Sequence, residues 1–351
     1  MSTQSQSPWE EGNFSRFICT ANHGFAPYAQ EELRRTFGAV KSTVLVPGEV
    51  LLAGLPVAEE QVASMLQTED PTFLRHIQPV QFQENAADSE QALERLLAFI
   101  TNHQELGGSR VALQARKTEG AFWHENAASL KQYLTDKLED LGCEWVVREA
   151  DYIVSVFAAE ETLYAGISKP EQNLSDWNGG AIRFQKEEGQ ISRAKFKLLE
   201  AEQTFGIDFR SFRKALDIGA APGGWTSFLL ERGLEVTAVD PAKMDAGLLQ
   251  SPKLTFLRKN AGDVKFKEGE FDLLVCDMSW SPKLMSRLVS DLMYSLQSGG
   301  TAIVTVKLLH KKPLALIKEV IDTFERSRLQ IQRSKQLFHN REEITLYMIK
   351  Y

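Results

Sequence analysis

Asp217, Asp240, Asp277 and Lys307 each stand where an apolar run ends. Such runs read as buried parallel strands, and in an open α/β sheet ligands gather where those strands end. Three acids and a lysine on one sheet edge make a site that can hold hydroxyls or a cation and move a proton. The first run opens into DIGAAPGGW (217–225). Glycines there allow positive φ and close backbone approach to a ligand, and Pro222 stiffens the turn. The loop lacks the third glycine of a dinucleotide fingerprint and the Gly-Lys-Ser/Thr of a P-loop. An acid at the second strand end, Asp240, can accept hydrogen bonds from both hydroxyls of a ribose. The loop alone also reads as a tight strand–helix turn, and the acid before it with the second acid 23 residues on strengthens the reading of a ligand site.

Five segments carry a resemblance: SRAKFKLLE (192–200), LDIGAAPGGWT (216–226), VCDMS (275–279), IVTVKLL (303–309) and REEITLY (341–347). In order and content they resemble the FtsJ-type ribose 2′-O-methyltransferases, over about 160 residues. The stretch KQLFHNREEITLYM (335–348) is most similar to the RlmM-type branch, which methylates a cytidine ribose in large-subunit ribosomal RNA. The resemblance implies S-adenosylmethionine as cofactor, no metal, and a Lys-Asp-Lys-Glu tetrad at Lys197, Asp277, Lys307 and Glu343, with Glu342 as an alternative register. It places the cofactor against Ser192, Asp217, Gly219, Ala221, Pro222, Gly223, Gly224, Trp225, Asp240, Asn260 and Asp277. A sulfonium needs no phosphate cradle, and Asp217 can attract the positively charged methionine part directly or through water.

The tetrad also makes chemical sense. A ribose hydroxyl is a poor nucleophile until it loses its proton, and a lysine takes that proton only where burial or a nearby cation brings its pKa down from about 10.4. Lys307 at a buried strand end is the candidate base; a charged orienting lysine is the other possibility. Lys197 flanks the helical stripe Ala194, Leu198, Ala201, Phe205. Lysines in such places are commonly solvated flanks. Cys276 is one residue before Asp277, so strand alternation turns it away, as a core residue. Asp277-Met278-Ser279-Trp280 lacks the paired prolines of amino-group methyltransferases, although Trp280 fills the aromatic slot. A small-molecule or protein methyltransferase would keep Asp217 and Asp240 without needing two lysines. A non-catalytic RNA-binding assembly factor would tolerate loss of the tetrad, which is intact.

These residues need a sheet to hold them. From Ser192 the pattern is regular: a helix (192–205), strand KALDIGA, helix 223–232, strand LEVTAVD, a short helix near 244–250, strands KLTFLRK and FDLLVCD, helix 283–297, strand TAIVTVKLL and helix 313–326. Two strands, LQIQRSKQLF and EITLYMIKY, close the chain as an antiparallel edge. The expected class is α/β: a Rossmann-like, mostly parallel sheet with an antiparallel last strand. Before it, strand 14–21, helix 25–37 and a strand pair around Pro47-Gly48 form a small α/β unit spanning 14–72. Residues 73–182 offer helix 89–101, strand 110–116, helix 126–141, a strand pair and a polar linker, 168–180. Their order of elements is similar to a THUMP domain, an RNA-binding module. Residues 1–13 read as a disordered tail.

Charge divides at the same place. Residues 1–182 hold 13 Lys and Arg against 26 Asp and Glu, while residues 183–351 hold 27 against 21, within a net charge of −7. A polyanion would be gripped by the second half, through Arg183, Lys186, Arg193, Lys195, Lys311, Lys312, Arg333, Lys335 and Arg341. Arg110, Arg116 and Lys117 offer a local basic face in the acidic half. RNA, with large-subunit rRNA foremost, is the expected partner. Three scattered cysteines give no metal-site spacing and fit a reducing cytoplasm. No apolar run approaches the roughly 20 residues a membrane span needs.

Overall fold

The computed structural model describes residues 14–186, 188–308 and 312–351; the expected tail at 1–13 and Lys311 lie outside them. The chain divides into two compact units between Ala181 and Ile182.

The first unit contains two sheets. Strand β1 (Ser15–Thr20) is followed by helix α1 (Ala26–Phe37), β2 (Lys41–Val46), β3 (Val50–Leu55), α2 (Glu59–Glu69) and β4 (His76–Pro79). They make an antiparallel sheet of order β2-β3-β1-β4. The expected break before residue 73 thus falls inside this sheet, because β4 pairs with β1 from Phe17↔Pro79 to Thr20↔His76. Next come β5 (Phe82–Asn85), α3 (Ser89–Thr101), β6 (Arg110–Lys117), α4 (Ala127–Lys137), β7 (Glu144–Trp145), β8 (Tyr152–Ala158) and β9 (Thr162–Ser168), with sheet order β5-β9-β8-β6-β7. Asp88 caps α3 by accepting from the Gln91 amide, and Asn126 caps α4 through Ser129.

The two sheets share an apolar seam that includes Ile18, Val50, Leu52, Val80, Phe157 and Tyr164. Gly166 sits at that seam: a Cβ there would lie 2.1 Å from the Pro79 carbonyl oxygen. The basic face expected from Arg110, Arg116 and Lys117 does not form. Arg110 is paired with Glu149 and Asp151, Arg116 turns inward to Thr20 and Gln78, and Lys117 donates to the Glu125 carbonyl.

The second unit carries α5 (Lys195–Phe205), β10 (Lys214–Ile218), α6 (Gly224–Glu231), β11 (Glu235–Val239), β12 (Leu254–Leu257), β13 (Phe271–Cys276), α7 (Pro282–Asp291), β14 (Leu296–Lys307), α8 (Pro313–Arg326), β15 (Leu329–Lys335) and β16 (Glu343–Lys350). Its sheet runs β12-β11-β10-β13-β14-β16-β15. All neighbours from β12 to β14 are parallel, and β16 is antiparallel to both β14 and β15. The last strand is antiparallel as expected, but it lies inside the sheet, and β15 takes the edge. Successive residues of the central strands, such as Leu273, Leu274, Val275 and Cys276, are all buried. That is the mark of a sheet covered on both faces. The helix expected at 283–297 ends at Asp291, and β14 already begins at Leu296. Among the described residues no helix is long and apolar enough to cross a membrane.

Gly166→Ala is expected to push the two sheets of the first unit apart at a cost of about 1–3 kcal/mol, as overpacking does. Urea unfolding followed by circular dichroism measures it. An unchanged midpoint would contradict the close approach.

Candidate active site

The parallel strands deliver their carboxyl ends to one edge of the sheet. Asp217 is the penultimate residue of β10, Asp240 follows β11, Asp277 follows β13 and Lys307 ends β14. Glu343 reaches the same edge from the opposite direction. Since β16 runs antiparallel, its first residue stands beside the last residue of β14, in the register pair Lys307↔Glu343. Lys197 comes from α5, whose apolar stripe, Leu198, Ala201 and Phe205, is buried against the sheet.

Four side chains meet as an alternating chain of charge. Lys197 Nζ donates to Asp277 Oδ1 at 2.9 Å and Oδ2 at 3.0 Å. Its ammonium also pairs with Glu343 Oε1, and the other oxygen of Glu343 accepts from Lys307 Nζ. Thr305, two residues before Lys307 on the same strand face, donates to Asp277 Oδ1 at 2.7 Å. Glu343 is buried, with a side chain only 3% exposed, whereas that of Lys307 is 25% exposed, the highest of the four. Glu342, the alternative register, faces solvent.

At Lys197, Glu343 and Asp277, burial competes with neighbouring charge. Burial opposes charge on Lys197, but Asp277 and Glu343 together outweigh it and hold its pKa above the usual lysine value. Burial likewise opposes charge on Glu343, and the two lysines prevail, holding the carboxyl below its usual range. At Asp277 burial prevails, aided by Glu343, so its carboxyl sits above the usual range despite Lys197 and Thr305. Cys276 is fully buried, its thiol pushed up by burial, as befits the expected core residue.

The loop after β10 forms a frame beside this chain. Asp240 Oδ2 accepts the Ala221 amide at 3.1 Å, and Oδ1 accepts the Ala242 amide at 2.7 Å. A carboxylate offers about four lone-pair positions, so capacity remains for hydroxyls. Gly219 and Gly223 have φ of 73° and 119°, a conformation that side-chain-bearing residues resist. A Cβ on Gly219 would lie 2.5 Å from Met278 Cγ, and one on Gly223 would lie 2.3 Å from Leu248 Cδ1. Ser192 packs on Gly224, where a Cβ would lie 2.9 Å from its own Cβ. Pro222 follows a cis peptide bond. Asn260 is exposed at the end of β12, 3.3 Å from Asp263.

Two of the expected ligand-binding residues face the protein. Trp225 is buried, and its indole N–H donates to the Ala194 carbonyl at 2.8 Å, tying α6 to the start of α5. Asp217 is buried beneath the loop and accepts a 2.6 Å hydrogen bond from Thr226. Burial, with Asp277 and Asp240 adding to it, raises its carboxyl to about 7 against the hydrogen bond from Thr226.

Three residues absent from the sequence-derived site hold its parts together. Thr305 could have been found by its spacing from Lys307. Thr226 and Glu200 carry no such signal. Glu200 is buried one turn after Lys197 and accepts the amides of Phe338 at 2.6 Å and His339 at 2.9 Å. It thereby fixes the turn that leads into Glu343. Of the expected basic rim, Arg183, Lys186, Arg193, Lys312 and Arg341 are exposed. Lys195 is not part of it: the side chain is buried and paired with Glu231 at 2.9 Å. Arg333 lies over the Phe205 ring and donates to the Thr204 carbonyl.

Comparison with known proteins points the same way. Residues 190–340 match the FtsJ-like methyltransferase family. The chain is 34% identical over 203 residues to a Psychromonas ingrahamii protein called ribosomal RNA large subunit methyltransferase M, covering 55% of each chain. Proteins of the same name from Idiomarina loihiensis and Aeromonas salmonicida match over more of the chain. They are 26% identical over 309 residues (82% of each) and 27% identical over 314 residues (83% of this chain, 84% of that one). In the first of these matches the chain thus spans about half the relative's length.

The raised carboxyl of Asp217 has a consequence for stability. An acid whose folded pKa exceeds its unfolded value of about 3.9 costs nothing below that value and progressively more as pH climbs to the folded pKa. Asp217→Asn keeps an acceptor for Thr226 and removes that cost. Its stability advantage over the wild type should grow by about 2 kcal/mol between about pH 5.5 and about pH 8. Urea unfolding at the two pH values reads the difference, and an advantage that stays constant would contradict the buried, raised carboxyl.

Proposed function

We propose, from the match of residues 190–340 to the FtsJ-like methyltransferase family, that this chain is an S-adenosylmethionine-dependent RNA ribose 2′-O-methyltransferase acting on large-subunit ribosomal RNA. One observation carries the reading: the alternating chain Asp277, Lys197, Glu343, Lys307, with Lys307 at its more exposed end. A site built only to hold a cofactor has no use for a lysine held on a buried carboxylate at the sheet edge. Attack by a ribose hydroxyl does.

The residues of the frame fit the cofactor. Asp240 has capacity for two ribose hydroxyls, the loop 219–224 lets backbone come close, and the acidic donor set suits a cation that carries no phosphate. Ser192, Gly219, Ala221, Pro222, Gly223, Gly224, Asp240, Asn260 and Asp277 would line its place, while Asp217 and Trp225 support the loop from within. The chemistry supplied by bound S-adenosylmethionine is a methyl group activated on sulfonium.

The chain's own residues do the rest. Acting as a neutral amine that still donates one N–H to Glu343, Lys307 Nζ takes up the proton of the 2′-hydroxyl and afterwards gives it up to solvent. Glu343 holds that nitrogen in place through one oxygen while its other oxygen is held by Lys197. Lys197, anchored on both oxygens of Asp277, keeps two carboxylates from repelling each other, and Thr305 fixes Asp277 in turn. Such positioning places nucleophile and base without reorganisation at the moment of transfer. Arg183, Lys186, Arg193, Lys312 and Arg341 would contact phosphates, with affinity that falls as salt rises. Ribosomal RNA as substrate is supported by the names of the relatives, and the work is that of the cytoplasm.

Lys307→Ala is expected to lower methyl transfer to unmodified ribosomal RNA by about 10²–10⁴-fold. Affinity for S-adenosylhomocysteine by calorimetry should stay within about threefold, since Lys307 bonds to Glu343 and to none of the frame residues. Activity close to wild type in this variant would sink the mechanism. A wild-type protein that labels no RNA would remove the reading altogether.

A further inference from the structure

Three rings gather where α5 meets the turn before β16. Phe184 and Phe196 lie 5.7 Å apart at an interplanar angle of 25°, Phe184 and His339 5.5 Å apart at 28°, and Phe196 and His339 5.1 Å apart. None is fully buried. Phe196 is the neighbour of Lys197, and His339 stands four residues before Glu343, so the cluster is anchored on the same two elements as the charge chain. Glu200 holds it there through the Phe338 and His339 amides. Burial lowers the pKa of His339, although a hydrogen bond with the Ile182 backbone works the other way. The ring is half-buried, also meets Phe338 edge-on at 5.2 Å, and has its Nε2 buried without a hydrogen-bond partner.

An exposed cation lies within three residues of each ring: Arg183 and Lys186 beside Phe184, Arg193 before Phe196, Arg341 after His339. Rings interleaved with cations are how proteins hold single-stranded nucleic acid: the cations take the phosphates and the rings stack the bases. A cluster serving only to pack the segment 182–186 would need neither the cations nor a place beside the tetrad.

We propose that Phe184, Phe196 and His339 form a stacking platform for a nucleobase of the substrate RNA, holding the strand so that a ribose hydroxyl meets Lys307. This rests on the ribose methylation reading above and adds the binding site for the base. Because stacking uses the ring face, the platform accepts any base and does not name one.

The test uses the full chain at one salt concentration and two probes: a short single-stranded oligoadenylate, and the same ribose-phosphate strand without bases. The wild type is expected to bind the base-bearing strand about tenfold more tightly. Phe184→Ala and His339→Gln should each bring that ratio to within about twofold while leaving affinity for the base-free strand unchanged, which a folding defect would not do. Phe184→Tyr and His339→Phe should preserve the ratio. A ratio that survives both ring deletions, or that is lost only in Trp280→Ala, overturns the platform. Methyl transfer by the wild type to unmodified ribosomal RNA is read in parallel. No transfer together with an intact, ring-dependent ratio would remove the ribose reading and leave the platform standing.

Discussion

The site depends on one carboxylate shared by two lysines. Glu343 is buried, and a buried carboxylate is tolerable only with partners on its oxygens. Lys197 takes one and Lys307 the other. Much of the second unit can be understood as what it takes to bring those three together. Lys307 arrives at the end of a parallel strand. Glu343 meets it from the next strand because β16, lying between β14 and β15, runs antiparallel and begins where β14 ends. Lys197 must come from outside the sheet, and α5 is fastened for the purpose by the Trp225 indole at its start, Glu200 in its middle and Glu202 near its end, which pairs with Arg232.

The same logic explains the acid beneath the glycine loop. Asp217 spends its oxygen on Thr226 and pins the first turn of α6 to β10. Asp240 accepts the Ala221 amide of the loop and the Ala242 amide of its own turn, and so shapes the loop from outside. The loop is thus preformed by two carboxylates, of which Asp240 keeps capacity for ligand hydroxyls.

Much of this was legible in the sequence. Helices 89–101 and 313–326 coincide with α3 and α8, because Asp88 caps the first and Pro313 opens the second. The strand ends were marked by acids and a lysine after apolar runs, and those are the residues that converge. Other elements were hidden for identifiable reasons. Strand β4 reads His-Ile-Gln-Pro, with two polar residues and a proline, and is recognisable only through its partner β1. The place of β16 inside the sheet is a tertiary choice that two consecutive strand patterns do not reveal. Lys195 and Arg116 look like surface cations by type, and only the fold shows that they turn inward to Glu231 and to Thr20 and Gln78. Trp225 lies in the ligand loop by position and in the core by packing.

With Lys307, held on Glu343, proposed to take the proton of a ribose hydroxyl, the methyl group is expected on that oxygen. The most direct measurement is to label unmodified large-subunit ribosomal RNA with the protein and a methyl-labelled cofactor, hydrolyse the RNA in alkali and identify the labelled product. A 2′-O-methyl group blocks cleavage at its own linkage, so label is expected in an alkali-resistant dinucleotide. Label recovered on a base, in a mononucleotide, would contradict it.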